Sequence, residues 1–377
     1  MKDVMGITYN ASEDLMLREL TSMRSVAALP VAGRYRVIDF VLSSMVNSGI
    51  RNVGVLMQKN YHSLIDHIGS GKEWDLHTRV DGLFILPPFT SAENAGTYNG
   101  LLDALHSNMS YLRRSRQEYV VIASGSVLLN ANFDEMVQQH IESGADLTVG
   151  YTRDTSSDLA GPNAGYRHAF MQFNADGHLT NMEINPNAPS FENMGLTLFV
   201  VRRKLLIYLV DQGVSQGMHS MYGDLIRTHM LSGTLDIRGY EYKGFCRRIE
   251  TVLGYYKLNM DIIRPEVRKA LFDGNPVFTK TRDDAPTKYL AGSRVHNSLV
   301  GDGCVVEGTV ENSVLFRGVR VEKGAVVKNC VIMQDSDILE GAELENVIFD
   351  KEVTIRRRGR LVGQPLYPIV VGKNTTL

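Results

Sequence analysis

Short apolar runs alternate with amphipathic stretches through the first two thirds of the chain. The runs are NVGVLM (52–57), YVVIAS (119–124), DLTVGY (146–151), LTLFVVR (196–202) and LDIRGY (235–240), and between them lie stretches such as LLDALHSNMSYLRRS and FDEMVQQHIESG. Strands alternating with helical segments predict an α/β, Rossmann-like domain, with a mostly parallel sheet and helices on both faces. In such a sheet ligands sit at the carboxyl ends of the strands. From about Val295 the texture changes: aliphatic residues recur about every five or six positions, among them Val305, Val310, Val314, Val319, Val326, Val331, Ile338 and Leu344, with small or turn residues between. One such rung cannot bury its own face, whereas stacked rungs form a continuous column, so the repeat predicts a C-terminal left-handed parallel β-helix. An irregular β-sandwich is the alternative. The expected boundaries are 1–245 for the α/β domain, 246–294 for a connector that includes PEVRKALFDGNPVFTK and a turn at Pro286, and 295–377 for the β-helix.

A chain of 377 residues is long enough for two domains with substantial cores. Apolar residues make up 44% and charged ones 22%, and 40 basic against 42 acidic side chains leave a net charge of −2. That balance creates no field for nucleic acid or for a membrane surface. The start, MKDVMGITYN, has no apolar core of a signal peptide, and no stretch approaches the roughly 20 apolar residues that span a bilayer, so a cytoplasmic protein is expected. Cys246, Cys304 and Cys330 are odd in number and lack paired metal-ligand spacing, which reads as buried apolar thiols.

The segments GRYRVIDF (33–40), LSSMVNSGIRNVGVL (42–56) and SLIDHIGSG (63–71) resemble the bacterial glucose-1-phosphate adenylyltransferases, which make ADP-glucose and diphosphate from ATP and glucose 1-phosphate for glycogen. The strings VENSVL, VRVEKGAVV and CVIMQDS are similar to that family's C-terminal domain. The resemblance covers nearly the whole chain. It implies a Rossmann-like nucleotidyltransferase domain followed by a left-handed β-helix.

At the positions that carry the family's chemistry the chain departs from the pattern. The family opens with a glycine-rich loop bearing an arginine and then a lysine; here Gly6 is the only glycine between Met5 and Thr21, and NASEDLMLREL (10–20) reads as a capped helix or irregular arm. Without glycines the backbone N–H groups cannot close on a triphosphate. Met16 stands at the arginine and Val26 at the lysine. Of the two aspartates that the family uses to hold Mg²⁺, Ser126 replaces the first, in YVVIASGSVLLN, and Arg248 the second, in GFCRRIET (244–251). A guanidinium there repels a metal ion. The resemblance therefore implies no catalytic residue and no cofactor in this chain, with Mg²⁺ serving a catalytic partner.

On the nucleotide side Phe89, in LPPFTS (86–91), replaces a glutamine that reads adenine, and GTYNGLLDALHSN (96–108) keeps Tyr98, Gly100, Asp103 and Ala104 but has Leu101-Leu102 for a threonine-alanine pair. The resemblance places Tyr98, Gly100, Asp103, Gly165, Glu183 and Asn193 in a vestigial glucose 1-phosphate pocket, with Asn193 in place of a serine. Ile184 in MEINPNAP (182–189) takes the place of the phosphate-binding lysine, and no lysine occurs from Thr152 through Arg203. A neutral glucose moiety fits what remains.

Family members sense sugar phosphates at basic residues near the domain and subunit junctions, and Arg24 and Arg36 match two of those positions. Arg34, Arg51 and the run RRRGR (356–360) add charge, and arginine forks suit phosphate. An interface salt bridge is the alternative for Arg24 and Arg36, and a solvated surface for the run. The expected function is that of the family's non-catalytic, D-type partner subunit, which modulates a catalytic homologue within a heterotetramer or forms homo-oligomers alone. Three other readings stay open: an active nucleotidyltransferase that recruits Asp103 or Asp224 for metal, a free-standing sugar-phosphate sensor, and a hexapeptide-repeat acyltransferase. The last needs a general base, and His296, at the start of the repeats, is the only histidine after His229.

Overall fold

The computed structural model of the chain describes residues 1, 3–9, 15–88, 98–153 and 168–377. At the centre of a nine-stranded sheet, Val4–Tyr9 lies between the parallel strands Asn52–Leu56 and Tyr119–Ser124, and Gly82–Leu86 extends the parallel set to one edge. Asn193–Arg202 runs antiparallel against Tyr119–Ser124, and Leu147–Thr152, Ile237–Glu241 and the hairpin of Ala169–Phe173 with Leu179–Ile184 complete the other side.

The central strands are largely apolar because both faces are covered. Met5, Ile7, Val120 and Ile122 pack under Leu101–Ser107 and Arg203–Ser215, while the alternate residues Val4, Val53, Val121 and Ala123 pack under Val37–Asn47 and Phe133–Ser143. The period-two alternation thus feeds two hydrophobic layers from one set of strands. Gly6 permits the closest approach, since a Cβ there would lie 2.6 Å from the sulfur of Met45.

The C-terminal part winds through three five-stranded parallel sheets, contributing one strand of two or three residues to each sheet per turn, and forms the expected left-handed parallel β-helix. Val306, Val321, Ile338 and Ile355 stack in register and are buried. The period seen in sequence selects Val326, but Val326 faces outward and its neighbour Val327 fills the column with Val310 and Leu344. A second repeat was legible and unused: Asn297, Asn312, Asn329 and Asn346 all take positive φ at the same corner of successive turns, a conformation that asparagine tolerates better than most residues. The strand Lys288–Tyr289, ahead of Val295, already pairs with Val305–Val306.

Two helices, Val252–Ile262 and Pro265–Phe272, join the parts. Thr251 caps the first by accepting from Gly254 N at 2.9 Å, and Pro265 opens the second. Tyr255, Leu258 and Ile262 pack together with Leu17, Leu20 and Phe40 of the first domain and with Phe316, Met333 and Ile348 of the β-helix. Tyr255 donates its hydroxyl to Pro30 O at 2.6 Å, and Tyr256 to Asn329 O at 2.8 Å. All three cysteines are buried. Burial pushes Cys304 up to about 11 and Cys330 up to about 12. Among the described residues no helix is long and apolar enough to cross a membrane.

Candidate functional site

The central strands end at a turn that carries Ser126. Gly125 N donates to Tyr9 O, and the chain then enters Val127–Leu129, which pairs antiparallel with Cys246–Arg248 so that Arg248 lies opposite Val127. Ser126 and Arg248, the positions at which the resemblance implies two metal-holding residues, are therefore neighbours. Neither offers a carboxylate. The Ser126 hydroxyl lies 2.9 Å from that of Ser124.

The Arg248 side chain is only 13% exposed. It donates to Gly195 O, its Nη2 lies 3.5 Å from Thr197 Oγ1, and its Nη1 lies 3.7 Å from a Glu250 oxygen. The other Glu250 oxygen is 3.0 Å from His168 Nε2. Arg248 Nε has no hydrogen-bond partner among the described residues. Thr197 is held at φ 53°, a costly conformation for a β-branched residue, and its N–H donates to Tyr222 Oη at 3.1 Å. Burial pushes the Tyr222 hydroxyl up to about 12 against the pull of Arg248. Among the described residues no group of three or more His, Cys, Asp or Glu side chains is arranged to hold a metal ion.

On the phosphate side neither of the two expected positions carries a charge. Met16 is exposed on the turn Leu15–Thr21, which kinks at Arg18. Val26 is buried with Leu17, Leu20 and Leu29. Phe89 and Gly165 lie outside the described residues.

The remaining sugar-side residues are engaged in local structure. Tyr98 is buried, and its hydroxyl accepts from Asn108 Nδ2 at 3.3 Å. Gly100 opens the helix Leu101–Ser107, where a Cβ would stand 2.2 Å from His219 O. Asp103 accepts from Asn99 N at 3.0 Å and contacts His219 Nδ1 at 2.7 Å. Asp224 accepts from the N–H groups of His219 and Ser220, both at 2.8 Å. Glu183 is half-buried and accepts from Ser190 N at 2.8 Å, which holds its carboxyl below the ordinary value. Asn193 donates to Met171 O at 2.9 Å, and its Oδ1 accepts from Arg153 Nε at 3.2 Å. Arg153 was missed by sequence reasoning. It directly follows the strand Leu147–Thr152, and that position at a carboxyl end was the available signal. Half-buried Ile184 supplies no charge.

The basic residues separate sharply. Arg24 is 3% exposed and grips Asp350 of the β-helix with both nitrogens, at 2.8 and 2.9 Å, so it forms the interface salt bridge that was the alternative reading. Arg36 donates to Ser63 O at 2.6 Å, and burial pushes its guanidinium down to about 10. Arg34, Arg51 and the arginines of 356–360 are exposed, with Arg357 facing Glu340 and Arg360 facing Glu343. Lys351, next to Asp350, was not singled out in sequence; burial, Arg36 and Arg24 push it down to about 7.

Residues 16–161 match the nucleotidyl transferase family, and residues 285–365 match the GlmU-like, C-terminal hexapeptide family. The chain is similar to the glycogen biosynthesis protein GlgD of Bacillus subtilis (strain 168), at 36% identity over 374 residues that cover 98% of this chain and 96% of that protein. It is also similar to GlgD of Geobacillus stearothermophilus, at 38% over 312 residues, 82% of this chain and 79% of the relative. Glucose-1-phosphate adenylyltransferase of Clostridium perfringens (strain 13 / Type A) is 31% identical over 339 residues, 89% of this chain and 85% of the relative.

Proposed function

Because the chain belongs to the family of glucose-1-phosphate adenylyltransferases and GlgD proteins, we propose that it serves glycogen biosynthesis as a subunit without catalysis of its own. It assembles with a catalytic homologue in the cytoplasm and tunes that enzyme's rate. The observation that carries this reading is Arg248, tied to Gly195 and paired with Val127, the residue after Ser126, where the reaction needs two carboxylates.

Adenylyl transfer brings the phosphate of glucose 1-phosphate against the α-phosphorus of ATP and expels diphosphate, so repulsion between two anions must be neutralised in a fixed geometry. In this chain Ser126 offers a hydroxyl, Val26 offers methyl groups, and the Arg248 guanidinium is held by a carbonyl and a carboxylate. Residues that act as a unit in catalysis fail together. The Mg²⁺ of the reaction belongs to the catalytic partner. Regulation runs through the junction cations Arg34 and Arg36, since Arg24 is already taken by Asp350.

An active enzyme that recruits Asp103 or Asp224 for metal is disfavoured because both carboxylates accept backbone N–H groups in tight local turns. Acyl transfer is disfavoured because His296 lies exposed on the first three-residue strand of the β-helix.

The test is ADP-glucose synthesis from ATP and glucose 1-phosphate by this chain alone, by the catalytic homologue alone and by the co-purified pair. The expected result is silence alone and an altered rate in the pair. Robust turnover by this chain alone overturns the reading, as does a pair that fails to form.

A further inference from the structure

The parallel strands reverse their order about Val4–Tyr9. Asn52–Leu56 and then Gly82–Leu86 follow it on one side, and the next strand of the chain, Tyr119–Ser124, returns to its other side. In an open α/β sheet the crevice beyond the carboxyl ends of the strands at such a switch point is where ligands enter. Tyr9 is the last residue of the strand at that point, level with Leu56 and Ser124 on the two flanking strands.

The Tyr9 side chain follows Met5 and Ile7 onto the face covered by Leu101–Ser107. It is buried there with Leu56, Tyr98, Leu101 and Leu102, and Leu86 packs against them. Gln58, two residues beyond the strand Asn52–Leu56, is buried as well. Its Nε2 donates to Tyr9 Oη at 2.8 Å and to Tyr98 O at 3.3 Å. One buried amide thus ties the carboxyl ends of two strands to the segment that opens the helix. A side-chain amide is a group that reads the edge of a base, and here its donor is taken up by the chain's own phenol.

We propose that Tyr9 is a built-in plug of the switch-point crevice: its ring stands where the base of a nucleoside fits, and its hydroxyl takes the Gln58 donor that such a base needs. Exclusion by shape is thereby added to the loss of charge at Met16 and Val26. A subunit closed in this way draws no nucleotide from a catalytic homologue. The inference deepens the proposed absence of catalysis and rests on that reading. An uncharged nucleoside tests it without turnover, so its failure leaves the reconstitution experiment unaffected.

The experiment is equilibrium dialysis of the full chain with adenosine, using the unaltered protein, Tyr9→Phe, Tyr9→Leu and Tyr9→Ala, together with thermal melts in the presence and absence of adenosine. Phe133→Ala, which removes a buried ring from the opposite face of the sheet, is the control for a cavity as such. Tyr9→Ala is expected to bind adenosine at least about tenfold more tightly than the unaltered chain, with Tyr9→Leu showing a smaller gain in the same direction. Tyr9→Phe keeps the ring and should stay closed. Adenosine should raise the melting temperature of Tyr9→Ala but not that of Phe133→Ala. Saturable binding by the unaltered chain as tight as that of the variants overturns the proposal. So does a gain in Tyr9→Phe or Phe133→Ala equal to that of Tyr9→Ala, or a folded Tyr9→Ala that binds no adenosine. Where Tyr9→Ala does not fold, Tyr9→Leu decides by the same criteria.

Discussion

The guanidinium of Arg248 is hydrogen-bonded to the carbonyl of Gly195, so a fixed positive charge bridges the strand that bears the second metal position and the strand that begins at Asn193. On the proposed reading, this tether puts a group that cannot align two oxygens for in-line transfer at the position where the family holds a metal.

Restoring both aspartates is therefore expected to fail. Ser126→Asp combined with Arg248→Asp should give no Mg²⁺-dependent ADP-glucose synthesis, because Met16 and Val26 leave the phosphate side uncharged. The double variant should also lose about 1–3 kcal/mol of stability, since Gly195 O loses its donor and Glu250 acquires a like charge nearby. Turnover assays and denaturant unfolding read the two effects. Substantial rescue would show that the phosphate-side losses matter little.

Val26 gives a second expectation. A lysine there has no room to reach outward, because the residue lies with Leu17, Leu20 and Leu29 in the cluster shared by both domains. Val26→Lys should cost about 3 kcal/mol or more by burying an unpaired amine, and should not add phosphate affinity. A variant as stable as the unaltered chain would show that the turn Val26–Ala28 opens easily.

The sheet and the β-helix were legible because both depend on repetition. Runs such as YVVIAS must be largely apolar when helices cover two faces, and stacked rungs must repeat their inward residues. Offsets of one residue, such as Val326 for Val327, were not legible, because in a short rung both positions are aliphatic and only the corner geometry decides which one turns inward. At the site, resemblance placed Ser126 and Arg248 and the antiparallel ladder made them neighbours. The roles of Asp103 and Arg24 were hidden because their partners, His219 and Asp350, are distant in sequence. Arg153 was hidden for the same reason, since its partner Asn193 lies 40 residues further on.

His140 supplies a test of the fold by pH. It is buried on the helix Phe133–Ser143, with Nδ1 2.8 Å from Thr148 Oγ1, its ring against Tyr119, and Nε2 without a partner among the described residues. Burial pushes its pKa down to about 4 from the ordinary 6.5; Arg202 adds to the depression and Asp146 opposes it. As pH falls through that window the unfolded chain takes up the proton first, so stability falls as pH drops and is regained as pH rises. The group should account for about 1–3 kcal/mol of acid destabilisation. His140→Gln removes the titration and should flatten the dependence of unfolding free energy on pH between about 6.5 and 4 relative to the unaltered chain. Parallel curves for the two proteins would mean that His140 takes its proton in the folded state as readily as in the unfolded one, and that the helix Phe133–Ser143 is seated less tightly on the sheet than its burial indicates.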